Sequence, residues 1–511
     1  MNMFLWPFIA FLGIFFFYKV IFRPLYYMWS HIMSGEAFYY FPIMGIFFRN
    51  HLDVKLKSNF YAYVVEKRRL KPTPRLIATN IGSSAMLILL DTKLIKAFYA
   101  SNDMYRKKLE IYGFLPDLLG QGLITANGNV HKRHRKITSR VFHWDFLMTT
   151  VPMIVKTTKE IFDEIEVKKS FTEVKMIEHA QAITGIVVGR IFFGEEMNNY
   201  RFKGQELTVA LGILLQQVGI VGLSGLNFFL GDKILKKIPI GPHVQVMKDI
   251  ESFRSLCMEI VNSKKRLYKI RKEENSNENK EEWRDMMNVL FEHVELYKDE
   301  EHFNDKDIID EFITFFSAGM DTTAHLVSMS LYYFTQNPHY LTKARQEVDK
   351  FYRNGNDLTL EDLQKMDFLM AFLKETLRKA NPAPLIFPRE ALQDHYLEDV
   401  KIKKGTTVTV GIVGNHLCDD FFVDPDRFYP ERWLDNSAPK DVYAYIPFSG
   451  GARNCIGQHL SFIEARIIVA EFIKRYDFTL KEGYKLRMTV RFMHEPEEEL
   501  KFNLNKIEKV K

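Results

Sequence analysis

The sequence predicts a mainly α-helical chain of the α+β class, with small β-sheets and one large domain behind an apolar N-terminus. Three observations lead there. Apolar residues recur at helical spacing through most of the chain beyond Lys93, β-like runs are short and few, and residues 3–18 carry no charge.

The N-terminal run comes first. Residues 3–18 are uninterrupted apolar sequence, and Val20, Ile21 and Phe22 extend it past Lys19. A bilayer core requires about 20 such residues. Lys19 can carry its ammonium to the interface on its long stem. No small-residue cleavage site follows. Arg23, Pro24, Tyr26, Tyr27 and Trp29 come instead, so the run reads as an uncleaved single-pass anchor rather than a signal peptide. Positive charge on its C-terminal flank directs the body to the cytoplasmic side. The expected organisation is an anchor over 1–24, a linker over 25–48 and a folded domain over 49–511.

Within the body, Phe41-Pro42-Ile43-Met44-Gly45 predicts a turn, and residues 76–79 and 86–90 predict short strands. Gly219, Gly222, Gly225 and Gly231 do not form a GxGxxG fingerprint and predict a loop or helix end. The charge-rich stretch 263–301, including Lys264, Arg271 and Asn275 to Lys280, predicts a solvated helix end and loop. Asn304 or Asp305 suits the cap of a long helix running to Asn337-Pro338. A helix is expected over 360–379, strands over 400–402 and 406–413, and a final helix over 457–476. That last helix has an apolar stripe of Leu460, Ile463, Ala465, Ile468, Val469 and Phe472.

Composition narrows the function classes. Lys plus Arg number 70 against 64 Asp plus Glu, an excess too small to argue for nucleic acid, and no nucleic-acid motif accompanies it. With 43 Phe and 23 Tyr, a large apolar interior is readily filled. Three cysteines without a CxxC build no disulfide framework and suit a reducing compartment. Cys257 and Cys418 read as buried structural thiols.

Cys455 differs. It lies in Phe448-Ser449-Gly450-Gly451-Ala452-Arg453-Asn454-Cys455-Ile456-Gly457, a glycine-rich loop that delivers one cysteine to the start of a helix. Unpaired amides and the helix dipole favour thiolate there. Gly451 and Gly457 would let the backbone approach a flat cofactor, and Arg453 could pair with its acidic group. A second segment, Ala318-Gly319-Met320-Asp321-Thr322-Thr323, falls inside the long helix. Gly319 costs about 1 kcal/mol against alanine there. A helix locally opened at Gly319, with Asp321 and Thr322 beside it, could hold water over a reactive centre. Third is Glu375-Thr376-Leu377-Arg378, whose Glu and Arg share one helix face. Last, residues 122–128 lead into a basic stretch holding His131, Lys132, Arg133, His134, Arg135, Lys136 and Arg140.

These segments resemble the cytochrome P450 family from about Phe41 to the end. The cysteine loop is similar to FxxGxRxCxG at every specified position, the helix segment to AGxDTT, and 375–378 to ExxR. Residues 425–433, ending Pro430-Glu431-Arg432-Trp433, are similar to PxxFxPERW. The run before His131 is similar to the lead-in of WxxxR, with His131 where the family shows Trp and Arg135 on the arginine.

The resemblance implies a P450-like fold whose body, residues 49–511, is one haem-thiolate catalytic domain. It implies haem b (iron protoporphyrin IX) with Cys455 as the iron ligand, its thiolate pushing electron density onto the metal. Arg453, Arg389, Arg135 and His131 would reach the propionates, with Phe448 packed near the sulfur and Gly457 against the cofactor. Asp321 and Thr322 would support proton delivery, and Glu375, Arg378 and Arg432 would form a structural network. The implied activity is monooxygenation: one atom of O2 enters an apolar lipid, sterol, fatty acid or xenobiotic. Electrons would come from an NADPH-dependent flavoprotein reductase docking on the basic helix. Residence in the endoplasmic reticulum membrane, facing the cytoplasm and meeting membrane lipid, follows from the anchor. Two alternatives stay open: a haem-thiolate isomerase or dehydratase needing no external electrons, and a haem sensor or carrier without turnover. Segments 112–119, 211–229, 312–319 and 384–387 are expected to line the pocket.

Overall fold

The computed structural model describes residues 5–169, 171–194, 200–274, 285–296, 304–352, 357–491 and 493–507. The chain starts as one helical run made of α1 (Leu5–Phe17), a π-helical turn at Tyr18–Phe22, and α2 (Arg23–Met33). Pro24 explains the wide turn, because its ring crowds the carbonyl four residues back and offers it no N–H. That carbonyl, Val20 O, accepts the Tyr40 hydroxyl at 2.7 Å instead. The helix thus runs across the boundary expected at residue 24. Ile9–Met33 is long and apolar enough to cross a membrane. The C-terminal half of the run also packs on the body, where Met28 is fully buried in the sheet-side core.

Two short helices follow, α3 (Ile46–Lys57) and α4 (Ala62–Arg68), with α5 (Thr92–Ala100) further on. The turn expected at 41–45 leads into α3. Its Gly45 has φ +51°, and a Cβ there would fall 1.6 Å from Asn80 O, so only glycine fits. The helical body comprises α6 (Gly128–Thr138), α7 (Trp144–Val167), α8 (Met176–Phe193), α9 (Leu207–Gly222), α10 (Asp305–Gln336), α11 (Asp367–Lys379) and α12 (Gln458–Arg475).

Helix α10 is the axis of this body, packed against α8, α9, α11 and α12. It starts where capping chemistry predicts. Asn304 Oδ1 accepts the Asp307 N–H, Asp307 Oδ2 accepts the Asn304 N–H, and the helix stops before Asn337-Pro338. The glycines at 219–231 do mark a helix end, since α9 stops at Gly222 and a short helix, Gly225–Leu230, follows. Helix Pro242–Glu274 reaches into the charge-rich stretch, whose 275–280 part lies outside the described residues. All six stripe residues of α12 are buried.

The expected helix over 360–379 is two helices, Leu360–Gln364 and α11. The break is capped from outside: the Glu347 carboxylate accepts the N–H groups of Phe368 and Leu369, each at 2.8 Å, and so starts a new helix.

Six strands form a mixed sheet beside the helices: β1 (Ala37–Phe38), β2 (Leu76–Ile81), β3 (Ser84–Leu89), β4 (Tyr105–Lys107), β5 (Arg389–Ala391) and β6 (Thr407–Val410), in the order β1-β2-β3-β6-β5-β4. β2 and β3 are the two strands expected at 76–79 and 86–90. They pair antiparallel with Ala78 opposite Leu87, and β6 lies parallel to β3. The strand expected over 406–413 ends at Val410, after which Gly411 turns the chain into helix Ile412–His416.

Candidate active site

The cysteine loop closes on itself. Cys455 N–H donates to Phe448 O at 2.9 Å, and Gly457 caps α12. Phe448 packs edge-on against Phe462, 5.2 Å between centroids. Two residues of the loop are left-handed, Ser449 at φ +62° and Gly451 at φ +65°. Gly451 yields space to Tyr99 of α5, because a Cβ there would lie 3.2 Å from Tyr99 Cβ. The expectation that it faces a cofactor is therefore corrected. At Gly457 a Cβ would meet only Phe142 at 3.8 Å and Cys455 Sγ at 4.0 Å, so this glycine leaves space open beside the sulfur. Cys455 is exposed and lines a cavity. Burial raises its thiol pKa, while the N–H groups of Gly457 and Gln458 and the charge of Arg135 oppose the rise.

The cavity measures about 410 Å³ and is mainly apolar. All four expected segments reach it, through Tyr112, Val218, Phe315 and Phe387 among others. Sequence reasoning missed the contribution of α8, through Val188 and Phe192, and that of α3 and the turn before α4, through Phe47 and Tyr61. No local motif marks these positions; only packing brings them in.

Among the basic groups lining the same cavity, five bear on the cysteine site: Lys107, His131, Arg135, Arg389 and Arg453. Arg453 donates to Ala126 O at 2.6 Å and Lys107 to Ile124 O. Arg389 donates to Asn102 Oδ1 at 3.1 Å and stacks on Phe98, 4.9 Å away, leaving its buried Nε without a partner. Burial, then the neighbouring cations, pushes Lys107 well down and Arg453 to about 10. Burial and then Arg453 take His131 to about 3, so the ring at the family's Trp position is neutral near pH 7. Among the described residues none of the five has a carboxylate partner. Buried cations without counter-charge are costly, and a flat apolar group bearing two carboxylates meets their need. Haem fits that description. Lys107, the end residue of β4, was not singled out from sequence, since a lone lysine carries no signal. Arg135 spends two N–H groups on Asn454, each at 2.7 Å, and so ties α6 to the residue before Cys455.

Helix α10 differs from expectation. It is continuous through Gly319, and that residue's missing Cβ is filled from α8: a Cβ would lie 2.7 Å from Val188 Cγ2. Gly319 serves close helix packing and not a local opening. Thr322 lines the cysteine cavity and donates to Ala318 O at 2.7 Å. Asp321 does not line it. It faces an adjoining cavity of about 510 Å³, where Gln181 Nε2 donates to its Oδ1 at 3.0 Å and burial lifts its pKa to about 7. Side chains one residue apart point about 100° apart on a helix, which separates the expected pair. A second acid, overlooked in sequence, does line the cysteine cavity. Glu464 on α12 is 1% exposed, and burial raises its pKa well above the usual range.

Glu375, Arg378 and Arg432 come together in one buried group. Glu375 accepts from Arg378 Nε at 3.0 Å and Nη2 at 2.8 Å, from Tyr429 N–H at 2.8 Å, from Arg432 Nε at 3.3 Å and from Trp433 Nε1 at 3.1 Å. Arg378 also donates to the carbonyls of His416, Pro425 and Arg427, joining α11 to the loop before Cys455. The basic stretch divides. Lys132, Lys136 and Arg140 are exposed, whereas His134 is buried with Nδ1 2.6 Å from Glu311 Oε1 and leaves the surface cluster.

A helical body that brings one cysteine at a helix start to a mainly apolar cavity ringed by unpaired cations has the build of a haem-thiolate protein. The comparisons agree: the Cytochrome P450 family model matches residues 41–502, and the chain belongs to the cytochrome P450 family. Among its relatives are a "Cytokinin hydroxylase" of Arabidopsis thaliana, 28% identical over 80% of this chain and 77% of the relative, and "Cytochrome P450 4X1" of Homo sapiens, 26% identical over 85% and 84%. "Cytochrome P450 4F11" of Homo sapiens is 28% identical over 75% and 74%. The protein is a haem-thiolate monooxygenase with haem b as cofactor, supplied with electrons by a reductase and acting on hydrophobic substrates. The isomerase and carrier alternatives are not favoured.

Proposed function

We propose that Cys455 is the haem-iron ligand, that Lys107, His131, Arg389 and Arg453 hold the propionates, and that Arg135 positions the loop carrying the cysteine. One observation carries this reading: the Cys455 sulfur opens onto a cavity where Lys107, Arg135, Arg389 and Arg453 have no carboxylate partner among the described residues. Bound haem supplies the one-electron and dioxygen chemistry that side chains lack. The chain's own groups do the rest. Phe448 and Phe462 keep water from the sulfur, and Gly457 leaves its face clear. Thr322 offers a hydroxyl to the reacting side, and its bond to Ala318 O orients it. Asp321 exchanges protons with the adjoining cavity, and its pKa of about 7 suits both directions of transfer. Glu375, Arg378 and Arg432 hold the scaffold rigid.

Residues 1–24 start a helical anchor in the endoplasmic reticulum membrane, with the body from 49 on the cytoplasmic side. Lys132, Lys136 and Arg140 steer an acidic, NADPH-dependent flavoprotein reductase to the cysteine side. Exposed Ile220 lies near the end of α9 and exposed Leu226 and Phe229 in the short helix after it, where the Phe229 ring stands 5.7 Å from Phe16 of the anchor. Substrate entering from membrane lipid is consistent with that apolar edge.

The test is turnover with reductase, NADPH and labelled dioxygen on a membrane lipid extract. A product carrying one labelled oxygen is expected. Product formed without NADPH and without label would transfer the reading to an electron-independent reaction. Cys455→Ser should lose the long-wavelength band of the reduced carbon monoxide complex; a variant that keeps it removes Cys455 as ligand.

A further inference from the structure

Helix α10 carries two adjacent acids, Asp310 and Glu311, that take no part in the chemistry above and are both fully buried. Buried carboxyl groups are costly unless they are bonded, and each of these is bonded through both oxygens. Asp310 Oδ2 accepts the Gln121 N–H at 2.7 Å, and its Oδ1 accepts Arg254 Nη2 at 2.5 Å. Glu311 Oε2 accepts the Leu123 N–H at 3.1 Å, and its Oε1 lies 2.6 Å from His134 Nδ1.

The chain between 120 and 126 is shaped for this approach. At Gly120, with φ +58°, a Cβ would fall 2.0 Å from Asp310 Oδ1. At Gly122 one would fall 2.5 Å from Asp310 O. Only glycine lets the loop lie so close to α10 at these two places.

What the loop carries gives the clasp its purpose. The N–H groups of Thr125 and Ala126 donate to Gly122 O, at 2.9 and 2.8 Å, so Leu123 sits within one closed turn. In that turn Ile124 O accepts Lys107, and Ala126 O accepts Arg453 at 2.6 Å. Asn127 Oδ1 then accepts the Lys107 N–H at 2.7 Å. The second partner of Glu311, His134, lies on α6 between His131 and Arg135, which both reach the cysteine cavity. A single carboxyl group thus stands behind the loop that seats Lys107 and Arg453 and behind the helix that bears His131 and Arg135. Glu311 itself is not part of the cavity wall.

We propose that Glu311 is a positioning residue for the propionate-binding cations, acting through Leu123 on the loop and through His134 on α6. This rests on the propionate assignment above. Cations held close favour the reduced haem, which carries one more negative charge, and cations that draw back favour it less. A loosened clasp therefore lowers the reduction potential and lets haem go sooner.

The experiment measures two properties of the haem-loaded full chain in detergent: its reduction potential, and the rate at which excess apomyoglobin withdraws its haem. Glu311→Gln can accept from Leu123 with its oxygen and donate to His134 with its amide, so both properties should stay within about twofold of wild type. Glu311→Asp is one methylene shorter and cannot span both partners. Its ferric–ferrous equilibrium should move about threefold towards ferric, a fall of about 28 mV at about 59 mV per tenfold. Its haem should leave about threefold faster. Glu311→Leu combined with His134→Leu removes both buried partners together, which limits the cost to stability. It should show shifts at least as large, with a normal thiolate–carbon monoxide band. Wild-type potential and haem release in the aspartate and double variants, a rise in potential, or a glutamine variant as disturbed as the aspartate would each overturn the inference. Failure of all three variants to take up haem would overturn it too, because Glu311 would then serve folding and not placement. Lys107→Met and Arg453→Met test the assignment beneath. A potential unmoved by either would sink that assignment, whereas a fall in both with none in the Glu311 variants would sink this inference alone.

Discussion

Arg135 on α6 donates one terminal nitrogen to the carbonyl and the other to the side-chain oxygen of Asn454, each at 2.7 Å, so the residue preceding the cysteine is held by a planar fork. A lysine at 135 keeps the charge and loses the second bond. Arg135→Ala should lower stability by about 1–3 kcal/mol, and Arg135→Lys by less. Thermal denaturation of the haem-loaded protein, followed by release of the haem band, checks this. An alanine variant that retains haem as wild type does would mean that the fork holds nothing.

Burial, aided by the charge of Glu495, lifts the Asp321 pKa to about 7 in the fold, against the opposing hydrogen bond from Gln181. Between about pH 4 and pH 7 the folded protein therefore binds the extra proton, and stability falls as pH rises through that window. Asp321→Asn cannot ionise. Its stability relative to wild type should increase from pH 4.5 to pH 8 and level off above, as read from denaturant midpoints. A flat difference would contradict burial as the cause of the shift.

Gly319 and Val188 share the space of a single methyl group between α10 and α8, with 2.7 Å left for a Cβ. Gly319→Ala should destabilise by about 1–3 kcal/mol through overpacking despite its better helix propensity. Val188→Ala in the same chain should recover most of the loss. A double-mutant cycle measures the coupling; additive effects would return Gly319 to the role of a helix-opening residue.

Among the described residues Glu375 is the single counter-charge for two buried arginines. Glu375→Gln keeps the shape and leaves Arg378 and Arg432 uncompensated, which should cost about 3–5 kcal/mol. The yield of soluble haem-loaded protein and its denaturant midpoint should both drop. A wild-type midpoint would mean that the backbone carbonyls around Arg378 suffice.

Much of this was legible in residue order. Asn304 and Asp307 announce the start of α10, β2 and β3 announce themselves by apolar runs, and the loop around Cys455 carries enough specified positions to name its chemistry. These signals are local, since each depends on neighbours within a few residues. Other features were not. The break before α11 depends on Glu347, an acid 20 residues upstream of Asp367. The end of β6 depends on how Gly411 packs, and the true role of Gly319 depends on Val188, across a helix interface.

The sequence alone therefore determined the helical class, the apolar N-terminus, the cysteine, the buried Glu375 network and the haem-thiolate chemistry they imply. Tertiary structure alone decided that Asp321 and Thr322 face different cavities and that Lys107 and Glu464 join the site. The physical reason is that direction and burial are set by non-local packing. A helix turns each side chain about 100° from the last, and which of those directions meets a cavity depends on partners distant in the chain.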